Sequence, residues 1–244
     1  MSLDRAQRTL VPELMDTESV SFEDFRECLR DLSTANVLSL GYRPTLAFLE
    51  SLRTSGRLPE GRPLRILDVG SGYGDTLRHV ARWAEAHGVP VTLIGVDLNP
   101  WSARAAAEAT PRTMRIEWVT ANVFDYAEHA EPADVILSAL FTHHLTDAEV
   151  VEFVRWMEKK ASLAWFVNDL HRAHVAHRFF RSISTAMRWH RFVRHDGPVS
   201  IARAFRRHEW RSLLIRAGIP RGATQLSWFF PYRLCVARVR PNAS

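Results

Sequence analysis

The sequence contains 244 residues, of which 46% are hydrophobic and 24% are charged. This composition is typical of a globular protein with one large domain or two small ones, and it argues against intrinsic disorder. No apolar run approaches the roughly 20 residues of a membrane-spanning helix, and the first residues lack the apolar core of a signal peptide. The two cysteines, Cys28 and Cys235, suggest neither a disulfide framework nor a metal knuckle, so we predict a soluble, cytoplasmic protein.

The formal net charge of +5 is unevenly distributed along the chain. Residues 171–240 contain fifteen arginines, no lysine and two acids, Asp196 and Glu209, whereas the rest of the chain has an excess of acids. A basic segment of this kind suits nucleic acid, an anionic membrane surface, an acidic carrier protein or an anionic substrate. It is equally compatible with a solvated helical surface in a protein that uses arginine in place of lysine.

The first 60 residues are predicted to form helices that precede the first strand. Apolar residues recur at helical spacing from Phe22 to Leu32, and Ser21 is a suitable N-cap for that helix. A second helix is predicted over 44–52, and the segment 55–61 is rich in turn-forming residues, as expected of a linker.

From residue 64 onward predicted strands alternate with helices, which indicates a parallel sheet covered on both faces. The predicted strands are 64–69, 91–96, 115–119, 134–139, 163–167, 224–229 and 232–239. The predicted helices are 75–87, 101–109, 147–160 and 208–217. The last two strands have the pattern of an antiparallel hairpin, and Thr146 is a suitable cap for the third helix. The stretch 172–207 is long, basic and aromatic, with a predicted interruption at 195–198.

The stretch 65–76 carries the clearest functional pattern, Arg-Ile-Leu-Asp-Val-Gly-Ser-Gly-Tyr-Gly-Asp-Thr. An apolar strand ends on Asp68, a glycine-rich turn follows and a helix begins, which is how α/β sheets build nucleotide-type pockets. The glycines are spaced G-x-G-x-G, and Asp75 stands where a dinucleotide fingerprint requires another glycine. Because the Asp68 carboxylate would repel a pyrophosphate and attract an ammonium, the expected ligand joins a nucleoside to an amino acid.

This stretch resembles the first motif of class I methyltransferases that use S-adenosyl-L-methionine (SAM), and the order of elements over 64–240 is similar to theirs. The resemblance implies an α/β fold with a Rossmann-like, mostly parallel seven-stranded sheet, helices on both faces and a C-terminal antiparallel hairpin. It further implies a helical lid at 1–60 and a methyltransferase domain at 61–244 with a helical insertion at about 172–207. SAM is then the cosubstrate and S-adenosyl-L-homocysteine (SAH) the product.

By this resemblance, the carboxyl ends of the first four strands hold SAM. Asp97, which ends the second strand, is expected to accept hydrogen bonds from both ribose hydroxyls. Asn122 and Val123 would present a polar side chain and an apolar wall to the adenine, and Ser138 would face the sulfonium. The expected SAM-binding residues are Asp68, Gly70, Ser71, Gly72, Gly74, Asp97, Leu98, Asn122, Val123 and Ser138.

The acceptor is expected at the same edge of the sheet. Methyl transfer from a sulfonium is a direct displacement, so the protein aligns the acceptor and, for a poor nucleophile, removes a proton. Histidine suits that step because its ordinary pKa lies near neutrality. The candidate bases are His144, His143 and His171. The expected substrate-binding residues are Phe141, Asp169, Arg172 and Arg194. Arg172, Arg194 and also Arg203 would suit an acidic acceptor or the phosphopantetheine of a carrier.

A metal site is not predicted from the sequence. His171, His174 and His177 are three residues apart, but on a helix the first and third would lie about 120° apart. No clear carboxylate ligand follows them.

The predicted function is methylation of a small-molecule acceptor. O-methylation of a phenolic, quinone or polyketide-type natural product is preferred because His143, His144 and His171 are candidate bases. C-methylation of an aromatic or polyketide acceptor is the alternative. Both a monomer and a homodimer are compatible with the sequence.

Three other functional classes remain open to test. A nucleic-acid methyltransferase could use the basic C-terminal region, but enzymes acting on exocyclic nitrogens usually carry an Asp/Asn-Pro-Pro-aromatic loop where this chain has residues 138–141, Ser-Ala-Leu-Phe. A nicotinamide-dependent oxidoreductase is disfavoured by Asp68 and Asp75. A non-catalytic protein that only binds SAM would retain the same glycine motif.

Overall fold

A computed structural model describes residues 8–18, 20–129 and 132–241. The strands are β1 (Leu64–Val69), β2 (Val91–Asp97), β3 (Ile116–Thr120), β4 (Ala133–Ala139), β5 (Ala161–Leu170), β6 (Thr224–Phe229) and β7 (Arg233–Val239). They form one seven-stranded sheet in the order β3-β2-β1-β4-β5-β7-β6. Strands β1 to β5 pair in parallel, and β7 lies antiparallel between β5 and β6. The predicted fold class is therefore confirmed.

The helices lie before the sheet, between its strands and in the insertion. They are α1 (Leu14–Thr17), α2 (Phe22–Leu38), α3 (Arg43–Thr54), α4 (Asp75–Ala86), α5 (Pro100–Ala109), α6 (Val123–His129), α7 (Asp147–Lys160), α8 (His174–Ala186), α9 (Arg191–Arg203) and α10 (Arg207–Arg216). A short 3₁₀ turn, Thr142–His144, follows β4. None of the helices among the described residues is long and apolar enough to cross a membrane.

Two helix starts are fixed by the caps that the sequence predicts. The Ser21 hydroxyl accepts the N–H of Asp24 at the start of α2. Thr146 and Glu149 form a reciprocal capping box at the start of α7. Such caps satisfy backbone N–H groups that have no partner within the helix.

The predicted interruption at 195–198 is wrong, because α9 runs through it. Gly197 faces the neighbouring helix so closely that a Cβ there would lie 1.9 Å from the Phe180 ring. The Asp196 carboxylate accepts the N–H groups of Leu14 and Met15 at 2.8 and 3.1 Å. Tertiary packing of α9 against α8 and α1 thus outweighs the helix-breaking tendency of Gly197 and Pro198. Helix α6 was not predicted from the sequence.

The sheet is covered on both faces by apolar helix surfaces. On one face α7 and α10 bury Phe153 and Trp210 against Trp165 and Val167 of β5. On the other face α3 and α4 cover β1, and Phe48 stacks on Phe166 with ring centroids 4.5 Å apart. These layers leave the carboxyl ends of β1, β2, β4 and β5 at one edge, where ligands of open α/β sheets bind.

The N-terminal helices contact this edge from two sides. Phe22 and Phe25 of α2 pack edge-on against Trp101 of α5 at centroid distances of 6.2 and 5.8 Å. The Asn168 amide at the end of β5 donates to the Gly41 carbonyl at 2.8 Å, just before α3. Helix α3 is part of the core, and the division into a lid at 1–60 and a domain at 61–244 stays a prediction.

Candidate active site

Asp68 is a buried carboxylate with one oxygen that has no hydrogen-bond partner. Its residue is 1% exposed, and its Oδ1 has no hydrogen-bond partner. Burial, followed by the charges of Asp75 and Asp97, raises the pKa of Asp68 well above its ordinary value. Because a buried polar atom without a partner is costly, this oxygen marks a place for a donor from a ligand.

Asp97 holds the glycine-rich loop to the end of β2. Its Oδ2 accepts the N–H of Gly72 at 2.8 Å, and its Oδ1 accepts the N–H of Asn99 at 2.9 Å. Each carboxylate oxygen can accept more than one hydrogen bond. Asp97 can therefore fix the loop and still accept hydroxyl donors from a ligand.

The three loop glycines all have left-handed backbone, with φ values of +70° at Gly70, +49° at Gly72 and +72° at Gly74. A Cβ at Gly70 would lie 2.6 Å from the Phe141 ring, and one at Gly74 would lie 2.2 Å from the Trp118 ring. A Cβ at Gly72 would meet nothing within 4 Å. Gly70 and Gly74 thus admit aromatic rings from the protein, and Gly72 faces open space that a ligand can enter.

Trp118 is a site residue that the sequence analysis missed. A Cβ at Gly95, its neighbour on β2, would lie only 2.4 Å from the Trp118 ring. The indole Nε1 of Trp118 is buried without a hydrogen-bond partner. A glycine in an otherwise apolar strand is the signal that could have indicated close approach of a large side chain.

Gly74→Ala is expected to destabilise the protein by several kcal/mol. The left-handed backbone costs about 1–2 kcal/mol for any non-glycine residue, and overpacking against Trp118 adds about 1–3 kcal/mol. Gly56→Ala is the matched control, since φ at Gly56 is +65° and a Cβ there would meet nothing within 4 Å. Urea unfolding of both variants measures the difference; equal losses of stability would show that the Trp118 contact relaxes freely.

The other residues predicted to bind SAM lie on the same side of the sheet in different environments. Asn122 is exposed and its Oδ1 accepts the N–H of Phe124 at 3.0 Å, so it begins α6. Val123 is 8% and Ser71 8% exposed, whereas Leu98 is 73% exposed. Ser138, at the end of β4, is 1% exposed and its Oγ has no partner, as found for Asp68.

The loops after β4 and β5 are joined by Asp169. Its Oδ2 accepts the Thr142 hydroxyl at 2.5 Å and the His143 N–H at 3.0 Å, and its Oδ1 lies 2.7 Å from His143 Nδ1. Burial alone would raise the pKa of Asp169, but the neighbouring His143 and these hydrogen bonds hold it well below its ordinary value. Asp169 therefore positions the His143–His144 turn.

Glu13 approaches the same turn from the N-terminal segment, which the sequence analysis did not foresee. Its side chain is 5% exposed, and its Oε1 lies 3.7 Å from His143 Nε2 and 4.0 Å from His144 Nδ1. Arg203 of α9 donates to the carbonyls of His143 and His144 at 3.0 and 2.7 Å and to that of Val11. The chain before α1 is thereby held against the turn.

His171 follows β5 and its N–H donates to the Tyr232 carbonyl at 2.9 Å. Burial lowers the pKa of His171, and the positive charges of Arg206 and Arg172 lower it further against the opposing charge of Glu209. The imidazole is therefore neutral at physiological pH.

The two predicted substrate-binding arginines lie in different places. Arg172 is 2% exposed and its guanidinium binds Glu209 and the Ala204 carbonyl, which makes it a support for the start of α10. Arg194 is exposed in a groove between α8 and α9. Phe141 lies between the glycine loop and α7, where its ring packs edge-on to Phe153 at 5.4 Å.

Tyr42 is a third residue that the sequence analysis missed. Its hydroxyl donates to Asp75 at the first turn of α4, and its ring stacks on His79 with centroids 4.0 Å apart. Burial and then the charge of Asp75 raise the pKa of Tyr42. The start of α3 is thereby tied to the glycine-rich loop.

Comparison with known proteins agrees with this geometry. Residues 66–161 match the family described as "Methyltransferase domain". No curated protein matches the sequence at a significant level.

Solved structures share the fold at low sequence identity. The plantazolicin methyltransferase BpumL in complex with SAH superimposes with a TM-score of 0.62 at 14% identity, covering 89% of this chain and 95% of that one. Magnesium protoporphyrin IX methyltransferase from Synechocystis PCC 6803 with bound SAH gives a TM-score of 0.54 at 15% identity, covering 83% of this chain and 84% of that one. At these identities the likeness shows the fold.

The residues present fit SAM as the ligand of this edge. Asp68 Oδ1 and Ser138 Oγ are buried atoms without partners, Asp97 can accept further donors, and Gly72 faces open space. An ammonium and two ribose hydroxyls are donors of the kind that these oxygens lack. The match of residues 66–161 to a methyltransferase domain, the strand order and this set of acceptors together support a SAM-dependent methyltransferase.

Proposed function

We propose that the protein methylates an oxygen of a small-molecule acceptor and that His171 accepts the proton. The neutral, half-buried imidazole of His171 beside the carboxyl end of β5 carries this proposal. The solved structures with the same fold include enzymes named for plantazolicin and for magnesium protoporphyrin IX. Both of these compounds are small molecules in comparison with a nucleic acid.

SAM supplies an activated methyl group on a sulfonium, so the protein's own contribution is alignment and proton removal. The acceptor hydroxyl transfers its proton to a neutral imidazole as its oxygen bonds to the methyl carbon. The carbon–sulfur bond breaks at the same time, and the sulfonium becomes the neutral thioether of SAH. His171 then releases the proton to water.

The other two rim histidines are less suited to accept that proton. The His143 side chain is 3% exposed and lies between Asp169 and Glu13. The His144 side chain is 30% exposed, but its Nδ1 faces the Glu13 carboxylate at 4.0 Å. Both rings are therefore directed toward Glu13. His171 remains the proposed base.

The arginines of residues 171–240 argue for a small acceptor over a nucleic acid. Several of their guanidinium groups bind backbone carbonyls, Asn36 or an acidic side chain of the fold. These are Arg172, Arg203, Arg233, Arg238 and Arg240. These guanidinium groups are engaged within the fold, so fewer of them are available to contact a phosphate backbone.

Activity on a phenolic acceptor is expected to fall at acidic pH with an inflection below 6.5. A base must be deprotonated to act, and the pKa of His171 is lowered from its ordinary value of 6.5 by burial, Arg206 and Arg172. His171→Asn is expected to reduce kcat/KM by about 10²–10⁴-fold and to remove this inflection. The measurement is kcat/KM against pH with labelled SAM and a set of phenols, quinones and acids.

The same experiment separates the alternatives. His87→Asn, at the end of α4, is the control for removing a histidine elsewhere. If His171→Asn kept the wild-type rate and the pH profile, His171 would not be the base. Labelled methyl groups found on carbon would instead favour C-methylation of an aromatic or polyketide acceptor, and labelled RNA or DNA would favour the nucleic-acid enzyme.

A further inference from the structure

Three potential metal ligands from distant parts of the chain meet beside the 3₁₀ turn. They are the Glu13 carboxylate and the ring nitrogens of His143 and His144. Glu13 Oε1 lies 3.7 Å from His143 Nε2 and 4.0 Å from His144 Nδ1, and all three donor atoms lie within 4.8 Å of one another. Glu13 and His143 are almost completely enclosed, and His144 is partly exposed.

These spacings fit ligands of a shared ion better than direct hydrogen bonds. A donor and an acceptor at 3.7 or 4.0 Å are too far apart for a hydrogen bond. Nitrogen and oxygen ligands of a tetrahedral ion, bound at about 2.0–2.1 Å, lie about 3.3–3.5 Å from one another. Small rotations of the side chains would therefore bring all three atoms onto one ion.

The groups around these ligands hold them as a metal site requires. Asp169 Oδ1 lies 2.7 Å from His143 Nδ1, which makes that nitrogen the donor to the carboxylate and leaves Nε2 facing Glu13. A carboxylate on the remote nitrogen is the usual support of a metal-binding histidine. The Ser200 hydroxyl donates to Glu13 Oε1 at 2.7 Å and fixes the carboxylate.

The backbone that carries the ligands is also fixed on both sides. Arg203 donates to the carbonyls of His143 and His144. Asp196 accepts the N–H groups of Leu14 and Met15, directly after Glu13. The N-terminal segment and the 3₁₀ turn are therefore held at a defined separation, which limits how far the ligands can move apart.

We propose that Glu13, His143 and His144 bind one divalent transition-metal ion of the zinc class. Two imidazoles and one carboxylate favour Zn²⁺ and its first-row neighbours, whereas Mg²⁺ and Ca²⁺ prefer oxygen ligands. Three protein ligands leave a coordination position open, as in catalytic zinc sites.

The open position gives the ion a role that rests on the proposed function. His144 is the exposed member of the set and follows β4, beside the edge where the acceptor is expected. An acceptor hydroxyl that occupied the open position would be oriented and made more acidic by the ion. The ion would then hold the oxygen whose proton His171 receives.

Metal binding is tested on the full chain after treatment with a chelator, without SAM or acceptor. Titration with Zn²⁺ in competition with a chromophoric chelator is expected to show one tight site per chain. Glu13→Gln and His144→Asn should each weaken that site at least tenfold, whereas His208→Asn, an exposed histidine on α10, should leave it unchanged. Co²⁺ should give a visible absorption band that both ligand variants lose.

The proposal is overturned by an absence of Zn²⁺ binding in the wild type, or by Glu13→Gln and His144→Asn binding Zn²⁺ as the wild type does. Circular dichroism of each variant without metal establishes that it is folded, and His144→Asn, at a partly exposed position, is the variant least dependent on core packing. Calorimetry with SAM is run in parallel. Retained SAM binding and methyl transfer without Zn²⁺ binding would leave the proposed function intact and remove the metal site alone.

Discussion

Asp68→Asn is expected to weaken SAM binding by about 100-fold while making the ligand-free protein more stable. The variant keeps the size of the side chain and removes its charge. Losing one member of a buried, charged hydrogen-bonded pair costs about 2–5 kcal/mol of binding free energy, and 1.4 kcal/mol corresponds to a tenfold change in affinity. Calorimetric titration with SAM measures the loss directly.

The gain in stability follows from the sign of the pKa shift. The folded-state pKa of Asp68 is raised above its unfolded value, first by burial and then by Asp75 and Asp97. Such a group stabilises the fold at pH values below its unfolded pKa, and this contribution is lost as pH rises through the folded pKa. The amide of the Asp68→Asn variant does not titrate, so thermal unfolding of the ligand-free variant should lack this decline between acidic and neutral pH. Saturating SAM should stabilise the wild type more than the variant.

Asp134→Asn is a control for which the opposite effect on the stability of the ligand-free protein is expected. Asp134 lies at the other end of the sheet, in β4, and accepts hydrogen bonds from the Arg62 guanidinium, the Arg65 N–H and the Ser162 hydroxyl. Burial alone would raise the pKa of Asp134, but these bonds lower it. Asp134→Asn should therefore destabilise the protein at neutral pH and leave SAM affinity unchanged. An Asp68→Asn variant that behaved in the same way would show that Asp68 is structural.

Local sequence signals predicted the strands and most of the helices, and they are the basis of the predicted SAM side of the site. Ser21 and Thr146 cap helices through residues three positions away, and the alternation of apolar strands with helices reflects burial on both faces. Asp68 and Asp97 lie at the carboxyl ends of β1 and β2, and these ends share one edge of a parallel sheet. Each of these inferences needs only neighbouring residues and the regular geometry of the sheet.

The acceptor side of the site was not predicted in full, because its geometry depends on contacts between segments that are distant in the sequence. Glu13 reaches His143 from a remote part of the sequence, and its segment, with no long apolar pattern of its own, is held there by Asp196, Ser200 and Arg203. No spacing rule links such residues. The helix over 195–198 was missed for the same reason, since contacts made by Asp196 and Gly197 with other helices outweigh local propensity.

Asp169→Ala is expected to destabilise the protein by about 3–5 kcal/mol. The carboxylate accepts hydrogen bonds from the Thr142 hydroxyl and from the N–H groups of His143 and Leu170, and its Oδ1 also contacts the His143 ring. Removing one partner of a buried, hydrogen-bonded charge pair costs about this much, because the remaining groups stay buried without partners. Urea unfolding of the chelator-treated protein measures the loss.

The loss is expected because Asp169 links the turn after β4 to the end of β5. Asp169→Asn keeps an oxygen for Thr142 and the backbone but cannot accept from His143 Nδ1 with its amide nitrogen, so it should lose less stability than Asp169→Ala. Asp147→Asn is the surface control, since its ion pair with Arg8 has a 59% exposed carboxylate and should contribute at most about 1 kcal/mol. If Asp169→Ala lost no more stability than Asp147→Asn, the two loops would be held by packing alone, and Asp169 could not be the residue that positions His143 and His144.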